Sequence, residues 1–143
     1  MQRAVKALST IAVVALPFVN VASRAAAAAT AVKRKTVWKR VAGPQAQADR
    51  WGYVQVVLIV RKTTTTSSAG SKVTRRITGV TVPVYPDHTG RSQFISENSL
   101  PILISEALRA QTHANVDLVS GATYTSEAFT QSLQSAILKA KKV

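Results

Sequence analysis

The sequence contains no cysteine, only two histidines and only six acidic residues in a chain of 143. Without cysteine, disulfides, zinc–thiolate sites, iron–sulfur clusters and lipid attachment through a thiol are all excluded. His88 and His113 are too few for a histidine-rich metal site, and the acidic residues show no paired-carboxylate spacing that would support acid–base hydrolysis. Any chemistry must therefore use hydroxyl and backbone groups, or a bound organic cofactor.

The six acidic residues stand against 19 Lys and Arg, which gives a formal net charge of +13. Beyond residue 31 the basic residues cluster at 33–40, 75–76 and 139–142. Such clusters are typical of solvated segments close to an anionic membrane or cell-envelope surface. Phosphate neutralisation in nucleic-acid binding is the alternative, but the sequence has no helix-turn-helix, zinc-finger or RNA-recognition signature, so no nucleic-acid partner is expected.

The first 31 residues are organised like a secretory signal peptide. A short basic start precedes an apolar stretch from Ala7 to Ser23, and an alanine-rich tract then offers several small-x-small cleavage sites. The alternative is an uncleaved N-terminal membrane anchor, although Pro17 and Asn20 within the stretch favour cleavage. In both cases the basic start stays inside the cell, so the rest of the chain is predicted to be exported and extracytoplasmic, either secreted or associated with the envelope.

The remaining residues fit one α+β domain. Residues 32–48 are interpreted as a basic linker with a candidate first strand, and residues 49–143 as the folded domain. Trp51–Val60 and Ile77–Tyr85 are rich in β-branched and aromatic residues and predict the two strands of a hairpin. The threonine-rich segment Thr63–Gly70 is interpreted as its flexible turn, with Lys72–Arg76 as a candidate extension.

Helical spacing dominates the second half of the chain. Apolar residues from Ser92 to Gln111 predict a helix in which Pro101 marks a break or a first turn. Val116–Val119 is predicted to be a short strand, and Thr125–Lys142 an amphipathic helix. The sequence therefore predicts a small antiparallel sheet, made of a β-hairpin and short strands, packed with two helices.

The segment DLVSGATYTS, residues 117–126, joins the predicted short strand to the last helix. Its small residues would let a large group approach the backbone, and the N–H groups at the start of the helix would favour an anion such as phosphate. The hydroxyl of Thr123 is expected in the loop before a helix cap at Thr125 or Ser126. From these residues alone, a phosphate-binding turn and a purely structural capped turn both remain open.

The same segment strongly resembles the flavinylation motif of the FMN-binding domain family, roughly Asp, two variable residues, Ser or Thr, Gly, Ala, Thr. That family includes the FMN domains of the sodium-translocating NADH:quinone reductase and of the related Rnf complex, as well as small exported actinobacterial proteins. The stretches WGYVQVVLIV, VPVYP, SQFISENSLP and SEAFTQSLQSAILKA extend the resemblance along most of the mature chain that follows the predicted leader.

The resemblance implies that Thr123 carries FMN through a phosphoester bond to its side-chain oxygen. The resemblance also implies that a separate exported flavin transferase makes this bond, with FAD as donor and with magnesium. The chemistry fits, since a threonine hydroxyl is a poor nucleophile and no base is evident beside it. The cofactor-binding residues implied are Asp117, Ser120, Gly121, Ala122, Thr123, Tyr124 and Thr125, and more weakly Arg91, Ser92 and Asn98.

Three other residues have structural interpretations. Tyr124 is also compatible with a simple surface or core role. Trp51 is interpreted as a sheet residue, and His88 as a solvated loop residue.

The sequence has no NADH-binding or quinone-binding signature, so an electron carrier that serves membrane redox partners is favoured over a complete enzyme. Two other functions remain open. One is a relative that binds FMN without the ester or is unmodified, and the other is a basic envelope-binding protein in which the SGAT turn is incidental.

Overall fold

The computed structural model describes residues 31–143, and within them Val32–Val143 form one compact unit. The predicted signal peptide or anchor lies outside the described residues, so it remains a prediction. No helix in the described part of the chain is long and apolar enough to cross a membrane.

One antiparallel sheet carries the fold. Its strands are β1 (Lys33–Ala42), β2 (Ala46–Gln47), β3 (Tyr53–Ser67) and β4 (Gly70–Val84). β3 is the central strand, because β1, β2 and β4 all pair with it in antiparallel register. The predicted antiparallel sheet is thereby confirmed, and the candidate first strand is a full ten-residue strand.

The β3–β4 hairpin is longer than its apolar residues suggested. The segment predicted as a flexible turn is mostly strand, since Thr63–Ser67 continue β3 and only Ser68 and Ala69 separate it from β4. The turn prediction was wrong because the β-branched threonines find partners on both sides: Thr63 pairs with Thr36 of β1 and with Thr74 of β4. The expected lengthening of the hairpin by Lys72–Arg76 is confirmed.

Two helices complete the domain, α1 (Gly90–Ala110) and α2 (Thr123–Lys142). Pro101 lies inside α1 and does not break it, contrary to the prediction. Pro101 is exposed, so the carbonyl group that loses its hydrogen bond can be hydrated, while the neighbouring Leu100 and Leu103 are buried in the core and hold the helix in place.

The connection between the helices contains no strand. Val116–Val119 was predicted to be one, but these residues pair with no neighbour and are irregular. Val116 and Val119 instead pack, partly buried, against the core from a loop. Their β-branched side chains therefore reflect burial rather than strand pairing.

The core lies between the helices and one face of the sheet. Val54, Val56, Leu58 and Val60 alternate along β3 and are almost completely buried, and Phe129 of α2 packs into the same cluster. Burying a side chain of this size stabilises the fold by about 1.5–3 kcal/mol.

A buried serine on α2 also ties this helix to the sheet. The hydroxyl of Ser132 accepts a hydrogen bond from the backbone N–H of Val56 (2.9 Å) and donates one to the carbonyl oxygen of Pro44 (2.7 Å). The residue before Pro44 is Gly43, which lies so close to the backbone of Ser132 that a Cβ atom would overlap it. The middle of α2 is therefore held in a fixed position relative to β3.

Candidate functional site

A cleft lies where the first turns of α1 and α2 meet the connections that enter and leave the β3–β4 hairpin. It has a cavity volume of about 190 Å³, or about 600 Å³ when the open space at its mouth is included. It is lined by Trp51, Pro86, Arg91, Ser92, Ile95, Gly121, Ala122, Thr123, Tyr124 and Thr125. Residues 121–125 of the DLVSGATYTS segment thus form one wall of the cleft.

That wall is a tight turn that runs directly into α2. Gly121 has φ +80°, a left-handed conformation that glycine adopts without a steric penalty. Ala122 follows as the N-cap residue, and its N–H donates to the carbonyl oxygen of Val119 (2.9 Å). Thr123 is the first residue of the helix and is exposed to the cleft.

The cap predicted at Thr125 or Ser126 was wrong, because the helix begins two residues before Thr125. Ser126 acts from inside the first turns instead. Its completely buried hydroxyl accepts a hydrogen bond from the N–H of Val119 (3.1 Å) and donates one to the carbonyl oxygen of Ala122 (2.8 Å). Ser126 therefore fixes both ends of the turn that presents Thr123.

The first N–H groups of α1 have side-chain hydrogen-bond acceptors, whereas those of α2 have none. α1 has a complete capping box, in which Thr89 and Ser92 satisfy each other's backbone N–H groups (both 3.1 Å). α2 has an alanine at the N-cap and no side-chain cap. Because the first intrahelical bond of α2 is donated by Ser126, the N–H groups of residues 123–125 have no helical acceptor and face the end of the helix that borders the cleft.

The opposite wall is fixed by a hydrogen bond to α1 and by a local cation–π contact. The buried hydroxyl of Ser96 donates to the carbonyl oxygen of Pro86 (2.8 Å), which holds the chain just after β4 against α1. Trp51 belongs to the short 3-10 turn Asp49–Trp51, and the guanidinium of Arg50 lies 5.1 Å from the centre of its ring, a cation–π contact. Both Trp51 and Pro86 are thus positioned before any ligand arrives.

The structure brings together five of the seven residues implied by the resemblance, namely Gly121, Ala122, Thr123, Tyr124 and Thr125. Asp117 and Ser120 do not line the cleft. Asp117 is exposed, and its backbone N–H donates to a carboxylate oxygen of Glu106 (2.9 Å). Whether these seven residues bind a cofactor stays a prediction.

Of the weaker candidates, Arg91 and Ser92 line the cleft, whereas Asn98 does not. His88, interpreted as a solvated loop residue, is exposed and lies outside the cleft lining. Trp51 was interpreted as a sheet residue, but it precedes β3 and lines the cleft. Pro86 and Ile95 were missed altogether, as was the anchoring role of Ser126. The resemblance of the VPVYP and SQFISENSLP stretches was the one signal in the sequence that pointed toward the first two.

Comparison with known protein families agrees with this geometry. The family model described as the FMN-binding domain matches residues 51–138, which include both walls of the cleft and more than half of the chain. Among curated proteins none matches the chain. The matched family is the one that the DLVSGATYTS segment resembles, and the chain belongs to the FMN-binding domain family.

Proposed function

We propose that this protein is an exported electron-transfer protein that carries FMN in a phosphoester bond to Thr123. One observation carries the proposal: the exposed side chain of Thr123 stands in the cleft at the uncapped N-terminus of α2. The family match supports FMN as the ligand. The motif resemblance supports the covalent bond, and the first 31 residues support export.

The dimensions of the cleft fit part of an FMN molecule. Sites that bury a whole small ligand usually measure about 300–1,000 Å³. The cavity volume of about 190 Å³ lies below this range, while the 600 Å³ that includes the mouth lies within it. The cleft would therefore enclose one part of FMN and leave another part accessible to partners, as an electron carrier requires.

The phosphate would be held at the start of α2. Three N–H groups without a helical acceptor and the positive end of the helix dipole favour an anion at this place. Arg91, on the opposite wall, adds a guanidinium group that suits phosphate geometry. Gly121 has no atom within 4 Å of the position of a Cβ, so the backbone of the turn is open to a bulky ligand.

The flavin ring would lie against aromatic side chains. Trp51 and Tyr124 both line the cleft, and Tyr124 is about half exposed (52%), which leaves its ring free to stack on a ligand. Ile95 supplies an apolar surface from α1. The bound FMN would supply transfer of one or two electrons, and the protein would supply position and electrostatics.

Attachment requires a second protein. The bond from phosphorus to Oγ1 of Thr123 would form as the pyrophosphate bond of FAD breaks, AMP would leave, and the hydroxyl proton would pass to a base of the transferase. Magnesium would neutralise the pyrophosphate charge. Partners are therefore a flavin transferase during maturation and membrane redox proteins during turnover.

The proposal can be tested by measuring the intact mass of the full chain co-produced with an exported flavin transferase. Wild type should gain one FMN less one water, and its N-terminus should lie beyond the signal peptide. Thr123→Ala should gain nothing. Thr112→Ala is the matched control, because Thr112 is an exposed threonine outside the cleft and should leave the added mass unchanged.

Each outcome separates one function from another. Equal flavin mass on wild type and Thr123→Ala would place the ester elsewhere. A yellow protein whose colour is lost on denaturing precipitation would select noncovalent FMN binding. If neither protein carried flavin in the presence of active transferase, the result would favour the alternative of a basic envelope-binding protein.

A further inference from the structure

The sheet has a second face that no helix in the described part of the chain covers. Along β3 the buried residues Val54, Val56, Leu58 and Val60 point toward the helices, so the alternate residues point away from them. In the antiparallel pairing Trp38 lies opposite Arg61, and Arg61 lies opposite Arg76. These three residues therefore form one row across β1, β3 and β4 on the uncovered face.

This row is the centre of a cationic surface. Arg40 and Arg34 lie on the same face of β1, on either side of Trp38 along the strand, and Lys72 lies on the same face of β4. We call these residues the arginine face, which consists of Arg34, Trp38, Arg40, Arg61, Lys72 and Arg76. All six are exposed, and Trp38 exposes 61% of its surface. β1, β3 and β4 contain no acidic residue that could neutralise it.

The arrangement of charges is unfavourable for the isolated protein. Arg61 faces Arg76 directly across the β3–β4 ladder, and the next pair, Lys62 and Arg75, repeats the like-charge contact on the other face. Like charges directly opposite each other destabilise a sheet. A bound anionic surface would remove that repulsion, whereas solvent and salt only screen it.

We infer that the arginine face docks the protein onto an anionic phospholipid bilayer. Arginine side chains bind phosphate groups in a bidentate manner. A solvent-exposed tryptophan suits the headgroup region, since its ring is apolar and its N–H can still bond to water or phosphate. A single-stranded nucleic acid would need several aromatic side chains on which successive bases stack, and Trp38 is the one aromatic residue of the arginine face.

Docking in this way would keep the cleft away from the lipid. Arg61 lies about 27 Å along β3 from Tyr53, at roughly 3.4 Å for each residue, and Tyr53 lies two residues after Trp51, which lines the cleft. The bilayer would contact one end of the sheet while the cleft opens at the other. The inference does not depend on FMN binding, and it holds for the protein with or without flavin.

The test uses the fluorescence of Trp38 in the full chain carrying Trp51→Phe, which leaves Trp38 as its one tryptophan. Vesicles of phosphatidylcholine with about a third phosphatidylglycerol should shift its emission to the blue, and brominated lipids should quench it. Pure phosphatidylcholine vesicles should do neither. An apolar leader would insert into vesicles of either composition, so quenching that requires phosphatidylglycerol distinguishes docking of the face from tethering through the leader.

Arg61→Gln combined with Arg76→Gln should weaken the partition of the full chain into anionic vesicles by roughly 20- to 30-fold, at about fivefold for each cation. Arg50→Gln combined with Arg91→Gln removes the same charge from the cleft end of the domain, away from the arginine face, and should weaken it much less. The partition of both double variants is measured by co-sedimentation with vesicles, in protein that keeps both Trp38 and Trp51.

Two results would overturn the inference. One is equal weakening by the two double variants, which would make the effect one of net charge alone. The other is Trp38 quenched more strongly by a single-stranded oligonucleotide than by anionic vesicles at the same ionic strength, which would make the face a nucleic-acid surface.

Discussion

Replacing Ser126 by alanine should loosen the turn that presents Thr123 while leaving every cleft-lining side chain in place. The Ser126 hydroxyl is completely buried and makes two hydrogen bonds, one to each end of the turn. The carbonyl group of Ala122 would keep a partner in the variant, because it also accepts the N–H of Ser126 (2.9 Å). The N–H of Val119 would lose the acceptor that the hydroxyl provides.

The expected loss of stability follows from that one orphaned donor. An unsatisfied buried polar group costs about 1–3 kcal/mol, and Val119 is half-buried, so the lower half of this range applies. The free energy of unfolding should fall by about 1–2 kcal/mol. For a domain of this size, that corresponds to a decrease in Tm of roughly 5–10 °C.

Ser135→Ala is the matched control on the same helix. The Ser135 hydroxyl bonds only to the carbonyl oxygen of Gln131, at 3.3 Å and on the same helix. Thermal unfolding followed by circular dichroism measures the stability of both variants, and intact mass after treatment with flavin transferase measures incorporation of FMN. We expect slower incorporation for Ser126→Ala alone. If the two variants matched each other in Tm and in incorporation, the anchoring role assigned to Ser126 would be refuted.

Two glycines give further predictions. Gly43→Ala should lower the free energy of unfolding, measured by urea titration, by about 1–3 kcal/mol, because the new Cβ would overlap the backbone of Ser132. Gly90→Ala is the control: Gly90 is helical and has no atom within 4 Å of a Cβ position, so this variant should be as stable as wild type or more stable. Equal midpoints for these two variants would contradict the close approach of the backbones. Gly121→Ala meets no neighbouring atom but forces a left-handed conformation, so it should cost roughly 1–2 kcal/mol, and Gly121→Asn should cost less. A wild-type midpoint for Gly121→Ala would show that the turn relaxes to another conformation.

The amino-acid sequence by itself determined the class of fold and the position of the motif. Alternation of apolar residues in β3 and helical spacing in α2 are local patterns, and each is set by which face of the element is buried. The antiparallel sheet, the two helices and the family were therefore predictable. The DLVSGATYTS segment also identified five residues that line the cleft, because a turn of small residues before a helix is encoded in contiguous sequence.

Only the tertiary structure decided the features that depend on distant partners. The threonines after Lys62 form strand rather than turn because β1 and β4 pair with them on both sides. The cleft gains Trp51 and Pro86 because Ser96 of α1 binds the carbonyl oxygen of Pro86, and the 3-10 turn orients the tryptophan. Ser126 looked like a helix cap, yet it binds a residue seven positions earlier. Propensity and spacing describe each element with its immediate neighbours, whereas these contacts form only when the sheet and both helices have packed together.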